Sequence, residues 1–570
     1  MSATFEPLLR SGRLRRADAA LGDWIVRAFP DSPPEVALAA ALAARAVGDG
    51  HSALDLARAR EWFEQLDGIG KPPELPEPAA WQATLRTASG VRRTQHGNLP
   101  APLTLDAQGR VYLSRYFDAE QRVATALVAH ACNDVQPSVP DPRSPNIELD
   151  GQQQRAITTA LTHRFILITG GPGSGKTFSV AHILTALVDG PRTRIALAAP
   201  TGKAAARLGE SLRAQLARMT LPDAIADAVP REASTLHRLL GISPWRARPR
   251  HYRDAPLPYD VVVVDEASMV DLPLMARLTD ALAPEARLIL LGDPNQLSAV
   301  EAGNVLPALV DAASAPPFAA CHVALAGSHR FGTGSALGRL AQAIVAADAD
   351  ATLASLQAGD GSIRLVAEES RTALVEDAHA GYRPVLAATD AANALAAARG
   401  FRVLTSLRRG PSGCSALNRA VEVRLKRASG VYADAEWWRG RLVMVTANRE
   451  ELGLFNGDVG VAWPDADKGM KVWFEGDDGP RAFAPAALPP HEGAFALTVH
   501  KAQGSEFERV ALVTGPGSAV LTQELLYTGV TRARSDVALY TSPETLRAGI
   551  ERRTLRMTGL ADRLREAAGT

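Results

Sequence analysis

Between Gly151 and about Phe331, short apolar runs recur and each ends in small or polar residues: RFILITGG, RIALAAPTG, YDVVVVDEAS and ARLILLGDPNQ. Such runs predict strands buried on both faces, and the stretches of helical period between them predict covering helices. Strands alternating with helices build a parallel sheet, and ligands bind beyond the carboxyl ends of its strands. The residues just after the four runs are therefore predicted to line one cleft. A further strand-like run, GFRVLTSLRRG, begins at Gly400. The period then changes over 440–491, where RLVMVTANREELGLFNGDVGVAW and GMKVWFEGDDGPRAF alternate apolar with polar between NGD, DKG and GDDG turns. That alternation predicts a small β-barrel inserted in a second lobe. From AFALTVHKAQGSEFERVALVT to the end, α/β character resumes.

The first 135 residues read differently. PPEVALAAALAARAVGDG and DAEQRVATALVAHAC have helical period, separated by the proline-rich GIGKPPELPEPAAW. They predict a helical docking domain, and QPSVPDPRSPNIELDG predicts an interdomain linker over 136–150.

Composition narrows the class. A chain of 570 residues holds several cores at roughly 100–200 residues per domain. Lys plus Arg equals Asp plus Glu, 62 each, which argues against a wholly basic coat but allows a locally basic groove. Three scattered cysteines build neither a disulfide framework nor a zinc site. The N-terminus lacks the apolar core of a signal peptide, and no apolar run is long enough to span a bilayer. A reduced, cytoplasmic protein without membrane contact is expected.

The chemistry begins at GGPGSGKT, where Gly170, Gly171, Pro172, Gly173, Ser174, Gly175, Lys176 and Thr177 complete a phosphate-binding loop between a strand and a helix. Its backbone N–H groups would surround the phosphates of ATP, Lys176 would reach the β/γ oxygens and Thr177 would ligate Mg²⁺. Asp265 and Glu266 end the run of four valines. There Asp265 would hold the Mg²⁺ shell and Glu266 would orient and deprotonate water. Gln296, after LILLGDPN, can both donate and accept hydrogen bonds, as a γ-phosphate sensor must. Two arginines, Arg532 and Arg534, lie between apolar flanks in LLYTGVTRARSDVALY, and a buried arginine needs a negative partner. Charge developing on a γ-phosphate is such a partner, which makes Arg532 a candidate finger and Arg330, in GSHRF, a second.

Taken in order, GGPGSGKT, LAAPTGKAA, ASTLHRLLG, VVVDEASM, LGDPNQL, SHRFG, LTVHKAQGSEF and LLYTGVTRAR resemble the motifs of superfamily-one helicases, most closely the RecD subgroup. GDGHSALDLA and VYLSRYFDAE resemble segments of that subgroup's N-terminal domain. The resemblance implies an α/β fold class: two RecA-like P-loop NTPase domains, a helical N-terminal domain and a small SH3-like β-barrel insertion. The first RecA-like domain would span 151–331, with a duplex-splitting pin near 241–258. The second would span 332–439 and 492–570. It implies ATP-driven 5′-to-3′ movement on single-stranded DNA entered from duplex ends. It also implies docking on RecC-like and RecB-like subunits in a heterotrimer, with the nuclease centre in another chain. Gln153 would recognise adenine, and Glu506 would lie near the nucleotide. Thr201, Gly202, Thr235 and His237 would contact DNA from the first lobe, and Thr498, His500, Lys501 and Gln503 from the second. His329 stands where Tyr is common. A standalone RecD-like helicase is the alternative, disfavoured by the short N-terminal domain, and a subunit with a vestigial ATPase is disfavoured by the filled catalytic positions. Seven basic residues (Arg402, Arg408, Arg409, Arg419, Arg424, Lys426 and Arg427) suggest a backbone-binding DNA groove.

Overall fold

Consecutive residues of the buried strands face two different cores. In the computed structural model, Phe165 and Leu167 join one apolar cluster while Ile166 and Ile168 join another. Val262 and Val264 separate from Val261 and Val263 in the same way. The sheet is therefore covered on both faces, as the unbroken apolar runs require. The structure describes every residue except 1–4, 67, 71–73, 94–99, 134–148, 189–192, 244, 247, 328–333, 359–360, 368–369, 466–468, 477–478, 516–519 and 570. The expectations for Arg330, His329 and nearly all of the 136–150 linker lie outside the described residues.

All six strands of this first sheet are parallel, in the order His322–Ala324, Phe165–Thr169, Arg287–Gly292, Val261–Val264, Ile195–Ala199 and Ser234–Thr235. A second parallel sheet orders Ile363–Val366, Ala533–Tyr540, Phe507–Val513, Phe401–Thr405 and Ala496–Thr498. Between the last two in sequence lies an antiparallel sheet of Arg481–Phe483, Gly469–Phe474, Val459–Asp465, Leu442–Val445 and His491–Gly493. It packs its inward residues, among them Val443, Val445, Ala462 and Phe474, into a core of their own.

The N-terminal region contains the expected helices, Pro34–Gly48 and Ser114–Ala131, and others besides, among them Arg16–Ala28. It also contains a four-stranded sheet that the pattern did not predict: Leu54–Asp55, Arg110–Leu113, Leu103–Leu105 and Val91–Arg93. Strands of two to four residues are too short to display a two-residue period.

Two helices share cores with distant segments. Ser114–Ala131 contributes Val123 and Leu127 to the core beneath the first sheet, and Leu560–Ala568 contributes Leu560 and Leu564 to the same core. After leaving the second lobe at Glu551 the chain thus returns as a strap across the N-terminal region. Met557 N–H donates to His51 Nδ1 at 2.9 Å. The fully buried Glu120 accepts from Ser52, Thr558 and the Gly559 N–H.

The stretch 241–258 is a loop closed at its base, where Arg250 N–H donates to Gly241 O at 3.3 Å and His251 N–H to Leu240 O at 3.1 Å. Among the described residues its one strand-like pairing is the bridge between Tyr252 and Ala255. Trp245 stands 93% exposed upon it.

Candidate active site

The loop after Phe165–Thr169 turns with Gly173 and Gly175 in the left-handed region, φ 76° and 86°. Glycine is needed at its start for space. A Cβ on Gly170 would lie 2.5 Å from Ser174 Oγ and 2.9 Å from Leu325 O, and one on Gly171 would lie 2.9 Å from the Tyr527 hydroxyl. The loop delivers the chain into the helix Lys176–Leu187, whose unpaired N-terminal N–H groups form an anion site. Lys176 Nζ donates to the carbonyls of Gly170 (2.6 Å) and Gly171 (3.0 Å). Thr177 follows it on the cleft wall.

Asp265 and Glu266 leave the fully buried strand Val261–Val264. Asp265 N–H donates to Ala198 O at 2.9 Å, and its own Oδ1 accepts from Glu266 N–H at 2.8 Å. Burial and the adjacent Glu266 push the Asp265 carboxyl up to about 6, against the pull of Lys176. A cation supplied to this carboxylate would reverse that cost. Glu266 takes φ 52°, a left-handed conformation that costs a side-chain-bearing residue about 1–3 kcal/mol and is typical of functional sites.

Three groups not singled out from the sequence complete the centre. Asp293 is 2% exposed and accepts from Gln296 Nε2 (3.1 Å), Asn295 N–H (3.0 Å) and the Tyr527 hydroxyl (2.9 Å). Arg207, on the helix Gly202–Leu216, lines the same cleft. Asp293 and Tyr527 lay inside quoted motifs, LGDPNQL and LLYTGVTRAR, but only the fold opposes them.

The buried arginine has its partners here. Arg532, 2% exposed, donates to Gln296 Oε1 (3.0 Å), Ser505 O (3.3 Å) and Thr528 O (3.1 Å). Burial lowers its pKa, while the charges of Glu266 and Glu506 support its protonated form. Arg534 lies half outside and pairs with Glu506 at 3.2 Å. The cleft between the lobes is about 690 Å³. Pro172 to Thr177, Asp265, Glu266, Asp293 and Gln296 line it from one lobe, and Glu506 and Arg532 from the other. Asp150 and Gln153 also line it, the Gln153 side chain accepting from Asp150 N–H in a capping box, as do Ser211, Gln215, Arg218 and Met219.

The expected DNA contacts divide by environment. Thr201 and Thr235 cap the helices Gly202–Leu216 and Leu236–Leu240 through their hydroxyls. Gly202 approaches the antiparallel sheet so closely that a Cβ would sit 3.4 Å from Phe455. His237 is exposed, while Thr498 and His500 are half-buried, and burial lowers the His500 pKa. Lys501 Nζ pairs with Glu492 at 2.7 Å. Gln503 is 8% exposed and donates to Leu297 O at 3.0 Å, so its side chain joins the lobes directly.

The seven-residue basic groove is corrected by the structure. Arg402 is 2% exposed and donates to Ala494 O and Ala398 O. Lys426 donates to Ala433 O beside Glu422, and Arg424 pairs with Glu376. Arg402 lies in the buried strand Phe401–Thr405, Arg424 and Lys426 lie on the helix Cys414–Ala428 beside their partners, and Arg408, Arg409, Arg419 and Arg427 are exposed.

Among the described residues no helix is long and apolar enough to cross a membrane, and no cluster of three His, Cys, Asp or Glu residues could hold a metal. Residues 10–112 match the family described as RecBCD enzyme subunit RecD, N-terminal domain; 153–302 match the AAA domain, and 493–540 the UvrD-like helicase C-terminal domain. The RecBCD enzyme subunit RecD of Mycobacterium tuberculosis is 39% identical over 568 residues, covering 97% of this chain and 96% of that protein. The ATP-dependent RecD2 DNA helicase of Deinococcus radiodurans is 29% identical over 549 residues, covering 94% of this chain and 69% of that one. A solved Pif1 helicase from Candida albicans is 15% identical with a TM-score of 0.39, covering 70% of this chain and 96% of that one. With its two parallel sheets meeting over a phosphate-binding loop, the chain belongs to the RecD family and is an ATP-dependent DNA helicase.

Proposed function

We propose that this helicase moves 5′ to 3′ along single-stranded DNA as one motor of a RecBCD-type complex, entering at duplex ends and serving double-strand break repair and the degradation of foreign DNA. The observation that carries the subunit reading is the match of residues 10–112 to the N-terminal domain of the RecBCD subunit. RecB-like and RecC-like chains are the partners it implies, the docking falling to the N-terminal region. The likeness to RecD2 keeps a second reading, a helicase acting alone.

ATP fits the cleft with its phosphates on the N-terminus of Lys176–Leu187 and beside Lys176. The Thr177 hydroxyl and the Asp265 carboxylate are the hard oxygen donors that would hold Mg²⁺. Bound there, the metal would neutralise charge on the β- and γ-oxygens. Glu266 orients the attacking water and takes its proton. Gln296 and Arg532 meet the γ-phosphate from opposite lobes, so its loss changes what holds the lobes together. Alternating closure then moves a strand between Thr201, Gly202, Thr235 and His237 on one lobe and Thr498, His500 and Lys501 on the other. Gln153 faces the adenine side and Glu506 the nucleotide.

Strand separation by the purified protein on 5′-tailed and 3′-tailed duplexes, with Lys176→Gln as control, tests the motor and its polarity together. Unwinding of the 5′-tailed duplex alone supports the reading. Preference for the 3′ tail, or full activity in the control, overturns it. Co-purification with RecB-like and RecC-like chains separates the subunit from the standalone form.

A further inference from the structure

We infer that Arg207 is the positioning residue that fastens the second lobe to the nucleotide cleft and thereby sets Arg532 against Gln296. The inference rests on the reading of the cleft as the ATP site. Arg207 belongs to the first lobe, yet its guanidinium pairs with the Glu506 carboxylate and donates to Gly504 O at 3.3 Å, both in the second. Glu506, its side chain 7% exposed, also pairs with Arg534 from the second sheet. One nearly buried carboxylate therefore stands between an arginine from each lobe.

The segment 503–506 is the object held. Gln503 donates to Leu297 O, Gly504 and Glu506 accept from Arg207, and Ser505 O accepts from Arg532. Gly504 takes φ 69° and passes close enough for a Cβ to lie 3.6 Å from that of Ala204. Releasing Arg207 would leave the turn held to the first lobe through Gln503 and would loosen Ser505 O, one of the three acceptors that orient Arg532. The charge of Arg207 also acts on Asp265 and on Arg532. An arginine suits the post because its planar fork can bond a carboxylate and a carbonyl together, whereas lysine offers a point charge.

The test uses the full chain with Arg207→Ala, Arg207→Lys, Glu506→Ala and the Arg207→Ala/Glu506→Ala double variant. Readouts are kcat and KM for ATP with single-stranded DNA, and affinity for a fluorescent non-hydrolysable ATP analogue. Arg207→Ala is expected to keep analogue affinity within about threefold while losing about 30-fold or more of kcat, since it acts after binding. Lysine should recover part of that loss, and the double variant should be no worse than the worse single one, as for residues acting as a unit. Wild-type kcat in Arg207→Ala, lost analogue affinity with normal saturated kcat, or additive losses would each overturn the inference. Should Arg207→Ala fail to fold, Arg207→Lys carries the same kcat test, and wild-type turnover there would likewise overturn it. Wild-type turnover in Lys176→Gln would instead defeat the reading of the cleft itself.

Discussion

The guanidinium of Arg532 donates to the side-chain oxygen of Gln296 at 3.0 Å, although the two residues belong to different lobes and lie 236 positions apart. The amide is fixed at both ends, since its nitrogen donates to Asp293 Oδ2, which also accepts from the Tyr527 hydroxyl. Tyr527 and Arg532 come from one end of the second lobe, Asp293 and Gln296 from one turn of the first. Already in contact, the residues proposed as γ-phosphate sensor and finger form a single interlobe element.

Arg532→Ala should therefore leave ATP affinity within a few-fold while turnover falls by about 10³, the lower range for loss of such an arginine. Steady-state hydrolysis with single-stranded DNA, paired with nucleotide-binding titrations, measures both. Weakened binding with normal saturated turnover would show that Arg532 is no finger.

The strap that returns over the N-terminal region holds a buried ion pair, Arg563 with Asp106 at 2.8 Å, side chains 4% and 0% exposed. Asp106 keeps Arg110 at 2.7 Å when Arg563 is removed, so Arg563→Ala deletes one of two arginines on a buried carboxylate and should cost about 1–3 kcal/mol of stability. Arg424→Ala, which breaks an exposed pair with Glu376, should leave the urea midpoint unchanged. Equal midpoints for the two variants would contradict this.

His51 gives the same contact a pH dependence. Burial, then the charges of Arg556 and Arg58, push its pKa down to about 3 from an ordinary 6.5. The unfolded chain binds the extra proton between those values, so this contribution is complete above pH 6.5 and is lost as pH falls towards 3. Urea midpoints measured from pH 7 to 5 should fall more steeply for the native chain than for His51→Gln. Parallel slopes would assign the acid sensitivity elsewhere.

Arg402 separates fold from DNA affinity. With its guanidinium on the Ala494 and Ala398 carbonyls and over the Phe507 ring at 4.9 Å, Arg402→Ala should lower the melting temperature. Arg408→Ala and Arg419→Ala, at exposed positions, should leave it unchanged. A stable Arg402→Ala protein that binds DNA poorly would restore Arg402 to the groove.

Much of this molecule was fixed by local pattern. Unbroken valine and isoleucine runs have one low-cost location, the middle of a two-faced parallel sheet, and glycines at 173 and 175 permit a loop that other residues would strain. Lys176, Thr177, Asp265 and Glu266 follow from those strands because the carboxyl ends of a parallel sheet share one edge. Tertiary structure alone decided which groups complete the site. Arg207, Asp293 and Tyr527 are ordinary residues on a helix or a turn until folding sets them opposite Glu506, Gln296 and the phosphate loop. The same holds for the strap at residues 552–568, and for Arg402, which the sequence places in a DNA groove but which ends on the Ala494 and Ala398 carbonyls. Local period records which face of an element is apolar. Which distant polar group will satisfy a charge carried inward depends on long-range closure, and that leaves no trace in sequence spacing.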